Sequence, residues 1–77
     1  MDDDEILVDA RGHRCPVPTL RLRRALEQAG PGARLRLLAD DPLARIDVPH
    51  FLSGVGAELL ETADADGVLS FLIAKPA

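Results

Sequence analysis

Proline and glycine punctuate this chain at two places, residues 16 to 18 and 30 to 32, and that spacing leaves it few folds. Pro16 and Pro18 sit just inside a helical pattern, where the missing N–H groups would have had no intrahelical partner anyway. Gly30-Pro31-Gly32 ends the pattern, because glycine accepts the left-handed cap and proline cannot continue a helix. The spacing predicts a helix running to about Ala29, with Pro18, Leu22, Ala25, Leu26 and Ala29 on the stripe that faces the core. Strand-like runs lie on both sides of it. Glu5-Ile6-Leu7-Val8-Asp9 is short, apolar and bounded by charge, and Arg34–Ala39 alternates so that Leu35 and Leu37 point inward and the arginines meet solvent. Strand, helix, strand implies a parallel pair joined by a right-handed crossover.

Beyond residue 39 the signals are shorter. Asp40-Asp41-Pro42 breaks the second strand, and Asp47 is placed to cap a second helix that begins near Val48-Pro49 and ends at Gly54-Val55-Gly56. Ile46, Phe51, Leu52 and Val55 are its expected core contacts. Residues 57–62 and 68–74 read as two further strands joined across residues 63–67, where Asp66-Gly67 is a hairpin signal, and Leu69, Phe71 and Ile73 share one face. The expected fold is α/β: a two-layer sandwich, β-α-β-α-β-β, with a mixed four-stranded sheet and two helices on one face. At 77 residues the chain is expected to form one domain, residues 1–77. A domain of that size buries only about 60% of its unfolded surface. An enzyme that encloses its substrate is therefore disfavoured.

The net charge of −4 conceals a segregation. Arg11, Arg14, Arg21, Arg23 and Arg24 all fall between residues 10 and 26, which contain no acid, so an acidic protein carries a basic face able to steer an anionic partner. The first residues are acidic, unlike a secretory or transit leader, and no apolar stretch is long enough to span a bilayer. One cysteine makes no internal disulfide. A cytoplasmic protein with no membrane contact is the expectation.

That one cysteine, Cys15, precedes Pro16 at the loop-to-helix junction. A lone cysteine commonly serves as a small buried hydrophobe. At a helix start, beside Arg11 and Arg14, the positive end of the helix dipole and the two guanidinium groups instead favour thiolate, the nucleophilic form. Pro16 and Pro18 remove two first-turn donors, which leaves the N–H groups of Val17 and Thr19 to face the sulfur, and they bias Cys15 and Val17 away from helical dihedrals. His13 projects to the same side as Cys15 in an extended segment and is a candidate proton shuttle, or a surface histidine without a role. Val17, Leu20, Arg21 and Arg24 point outward and form a candidate docking rim. His13, Cys15, His50 and Asp41 lack the paired, closely spaced ligands of a zinc motif, and no metal or other cofactor is expected. With two phenylalanines and no tryptophan or tyrosine there is no stacking platform for bases, so direct nucleic-acid binding is not expected.

The run Asp9-Ala10-Arg11-Gly12-His13-Arg14-Cys15-Pro16-Val17-Pro18 resembles the signature of the TusA family of sulfur carriers, which includes SirA-like proteins. The likeness continues through Pro31-Gly32, Ala39-Asp40-Asp41-Pro42, Ile46-Asp47-Val48-Pro49-His50-Phe51 and Phe71-Leu72-Ile73-Ala74-Lys75. It implies a fold similar to the C-terminal domain of translation initiation factor three. It also implies that Cys15 takes sulfane sulfur from a cysteine desulfurase or rhodanese-like donor and relays it to an acceptor protein, for tRNA thiolation or sulfur oxidation. His13 stands where the family usually has an apolar residue, and Val17 where the tRNA-thiolation branch has an acid. Two other functions fit the residues read alone: a non-catalytic interaction or regulatory module with a structural cysteine, and a redox-sensing thiol.

Overall fold

The computed structural model describes residues 5–76, and the acidic run at residues 2–4 lies outside the described residues. Six elements occur in the order β1 (Glu5–Asp9), α1 (Val17–Gln28), β2 (Arg34–Ala39), α2 (Ala44–Val55), β3 (Glu58–Ala65) and β4 (Val68–Ala74). They form one mixed sheet of order β1-β2-β4-β3, with β1 and β2 parallel and the other pairings antiparallel. Alternation sets the two faces. Leu35, Leu37 and Ala39 of β2 and Leu69, Phe71 and Ile73 of β4 are buried, and α1 and α2 close over them with Leu22, Leu26, Ala44, Val48 and Leu52. Removing each such large side chain from water is worth about 1.5–3 kcal/mol, which makes this layer the source of the fold's stability.

The opposite face is open but not bare. Arg36 at its centre donates to Glu5 at 2.8 Å and to the Ser70 hydroxyl at 2.8 Å. Leu72, on the same face, is only 8% exposed, with Arg36 and Glu61 as its neighbours in register. The expected β-α-β-α-β-β sandwich is therefore the observed one.

Local details depart from expectation at both helix ends and at the hairpin. The left-handed glycine after α1 is Gly32 (φ 78°), not Gly30, while Ala29 leaves the helix in extended geometry and its carbonyl accepts from Lys75 Nζ at 2.6 Å. Helix α2 starts earlier than Val48. Residues 41 to 44 already turn, with Ala44 N–H donating to the Asp41 carbonyl at 2.9 Å and Leu43 N–H to Asp41 Oδ1 at 3.0 Å. Asp41 thus holds the turn that leads into the helix, whose N-cap is Leu43, and Asp47 lies in the first helical turn with Pro49 inside the helix. The earlier start rotates the buried stripe onto Ala44, Val48 and Leu52, with Phe51 half-buried, and leaves Ile46 68% exposed and Val55 on the surface. At the other end of the chain β3 runs on to Ala65. Its link to β4 is two residues long, Asp66 (φ 54°) and Gly67 (φ 82°), both left-handed as a tight hairpin requires.

Candidate functional site

Everything near Cys15 depends on the loop that leaves β1. Ala10 continues the parallel pairing by donating to the Leu38 carbonyl at 2.8 Å, and Gly12 (φ 83°) then turns the chain in a conformation that favours glycine. Gly12 N–H meets both Asp40 carboxylate oxygens at 3.0 Å, and Cys15 N–H meets Asp41 Oδ2 at 2.9 Å. Two adjacent acids at the end of β2 therefore clamp the loop at two points. Asp41 serves twice, because its other oxygen holds Leu43 N–H in the turn that leads into α2.

Cys15 sits one residue before the helix cap, Pro16, across a cis peptide bond. The two prolines differ in setting: Pro16 is exposed, whereas Pro18 is fully buried as the first core residue of α1. The side chain of Cys15 is half-buried and packs against the edge of the core. It lines one shallow depression, and a second opens beyond Pro16. One, about 510 Å³, is lined by His13, Arg14, Asp40, Asp41 and Cys15 itself; the other, about 520 Å³, runs between the helices past Pro16, Asp47 and His50. Neither encloses a substrate.

The electrostatics reverse the sequence expectation. The Cys15 thiol is pushed up to about 11, first by partial burial, then by Asp47, whose carboxylate favours the S–H form both as an acceptor for its proton and as a charge, and then by the charge of Asp41. Of the two arginines expected to favour thiolate, Arg11 is engaged elsewhere. Arg11 folds back on Asp9, with Nε to Oδ1 at 2.9 Å and Nη2 to Oδ2 at 2.7 Å, and holds that carboxyl down to about 2. Arg14 is exposed and acts with the Leu43 and Cys15 N–H groups to keep Asp41 below the usual carboxylate range. Val17 N–H is not free for the sulfur either, since it donates to the Arg14 carbonyl at 2.9 Å.

Of the residues singled out from sequence, the structure brings His13, Arg14 and Pro16 to the rim around Cys15. The docking rim divides. Val17 is half-buried and Leu20 is 56% exposed, whereas Arg21 and Arg24 overhang a separate cleft along β1. Asp40, Asp41 and Asp47 were not singled out as supporting residues. Their only sequence signal is an acid pair before Pro42 and an acid before Val48-Pro49, and the same pattern marks turns and caps that have no site attached.

With this geometry in view, the chain was compared with known proteins. Residues 6–75 match the profile of the family described as Sulfurtransferase TusA. A protein of Archaeoglobus fulgidus whose name assigns it provisionally to sulfur carriage is 42% identical over 67 residues, covering 86% of this chain and 87% of that one. The sulfur carrier protein TusA of Pseudomonas aeruginosa is 34% identical over 73 residues, covering 95% and 92%. In three dimensions the crystal structure of a SirA-like protein from Desulfitobacterium hafniense superposes with a TM-score of 0.83 at 30% identity, covering 94% of this chain and 99% of that one. From residue 6 to residue 75, in sequence and in fold, this chain belongs to the TusA sulfurtransferase family.

Proposed function

We propose that the protein carries sulfur as a persulfide on Cys15, taking it from a cysteine desulfurase or rhodanese-like donor and handing it to an acceptor protein. The observation that supports this most directly is the placement of Cys15: a half-buried thiol lining an open depression, its backbone clamped by Asp41. A thiol so placed can be reached by a partner's sulfur across that depression, and no chamber has to open.

The chemistry starts from the neutral thiol. In loading, Cys15 Sγ attacks the outer sulfur of a donor persulfide; the new S–S bond forms as the donor's own S–S bond breaks, and the Cys15 proton ends on the donor thiol. Unloading is the same exchange with an acceptor thiol as the attacking group. No oxidant or cofactor enters. Asp47 is the carboxylate placed to take the proton in passing, and His13 on the other side has the same capacity. Leu20, Arg21 and Arg24, with the half-buried Val17, supply docking surface. Contacts used in turn by donor and acceptor are expected to be small and transient. Delivery for tRNA thiolation or for sulfur oxidation both fit, and in either case the nucleic acid or small molecule is met by the acceptor.

One observation favours a second reading. A thiol raised to about 11 is quiet at neutral pH, as a structural cysteine in an interaction module would be. The intact mass of reduced protein after incubation with a cysteine desulfurase and cysteine, or with thiosulfate and a rhodanese, separates the two. Carriage predicts a gain of one sulfur, reversed by reductant and absent in Cys15→Ser. No gain with either donor would leave the interaction module.

A further inference from the structure

The order β1-β2-β4-β3 leaves β1 and β3 as sheet edges, and the two edges are finished differently. β3 carries an irregularity between Leu59 and Glu61 and presents Glu58, Glu61 and Asp64, the usual devices that stop an edge from recruiting another strand. β1 has neither bulge nor proline. Pairing with β2 uses one side of its backbone, and on the other side a cleft of about 530 Å³ runs along Ile6–Asp9 beneath Arg21 and Arg24 of α1.

The charges around this cleft are unbalanced. Asp9, the acid in its lining, is held by Arg11, with a weaker attraction from Arg21. Arg21 and Arg24 are exposed, three residues apart on one helix face, and make no ion pair among the described residues. The cleft thus offers the outer backbone edge of β1 along its floor and, along its roof, two arginines against one already paired acid.

We propose that this cleft takes an acidic, extended segment of a partner protein as an added strand on β1, with main-chain bonds to the edge and carboxylates under Arg21 and Arg24. Added-strand recognition draws affinity from the backbone and selectivity from the side chains that flank it. A second copy of this chain is the poorer occupant, because pairing two β1 edges would set two arginine ridges against each other. The partner strand ends near Asp9, beside the loop that leads to Cys15.

The test needs no sulfur chemistry, so its outcome is independent of what Cys15 does. The full-length protein, labelled with nitrogen-15, is titrated at low salt with an acetylated peptide of alternating glutamate and valine, and in parallel with its lysine–valine counterpart. The glutamate peptide is expected to shift and slow the exchange of amides in Ile6–Asp9, to move the Arg21 and Arg24 signals, and to bind at least fivefold more weakly to R21E/R24E. The neutral R21Q/R24Q variant gives an intermediate loss and covers the case in which charge reversal disturbs the fold. The proposal is overturned by no binding at millimolar peptide, by equal binding of the lysine peptide, by perturbations at β3 or between the helices, or by unchanged affinity in both variants. Concentration-dependent dimerisation that protects the same β1 amides would overturn it in favour of a second copy.

Discussion

Cys15 is the residue on which sequence and structure part company most instructively. Its chain neighbours Arg11 and Arg14 and the helix start argue for a thiolate. What fixes its state is partial burial first, then Asp47 and Asp41, distant in sequence and delivered by the first turn of α2 and the end of β2. With the thiol near 11, roughly one part in ten thousand is ionised at pH 7. Alkylation of the free protein, followed by intact mass against time, should therefore climb through pH 9 and 10 with its midpoint near 11. Asp47→Asn should move that inflection down toward the ordinary cysteine value. Asp41→Asn should move it less, because Asp41 acts on the sulfur only as a charge and the amide oxygen can still hold Cys15 N–H. A wild-type inflection at or below about 8.5 would mean that the helix start and the arginines prevail after all.

Helix α2 makes a comparable point one level up. An acid followed two residues later by proline is the pattern of an N-cap, and Asp47-Val48-Pro49 reads that way locally. The helix instead starts from the turn held by Asp41, with Leu43 as its N-cap, and a sequence window misses this because half of Asp41's role is the tertiary bond to Cys15 N–H. Pro49, six positions into α2, lacks only one internal hydrogen bond and is carried by packing. The consequence is measurable in urea: Leu52→Ala should lose about 2–5 kcal/mol, whereas Ile46→Ala should stay within about 0.5 kcal/mol. The reverse order would restore the later helix start. By contrast α1, β2 and the presence of the final hairpin were legible, because their signals are local: prolines at a helix start, strict alternation, and an Asp-Gly pair, although the link expected across residues 63–67 closes to two residues. The loop clamp was not legible. Gly12 with Asp40 and Cys15 with Asp41 are contacts between segments that only the parallel pairing of β1 and β2 brings together.

For the molecule as a whole, the same charges set the pH range over which the fold holds. Asp9, Glu5 and Asp41 all have lowered folded values, so the stability they contribute is fully present above the unfolded carboxylate range and is lost as pH falls through the folded values, about 2 for Asp9. Cys15 works at the other end. Its folded value is raised, so the unfolded chain ionises first and stability declines between roughly pH 8.5 and the folded value of about 11. Urea midpoints measured from pH 2 to 11 should be flat between about 5 and 8 and fall on both sides, and Cys15→Ser should remove part of the alkaline fall alone. The openness of the site carries a different lesson. Cys15 is half-buried but faces an open depression, so under the proposed function a sulfur atom held there would be within reach of any small thiol that diffuses past. A carrier of that kind would guard its cargo by haste: loading would have to be followed by hand-over before a passing thiol intervenes, and throughput would be set by how often partners meet it.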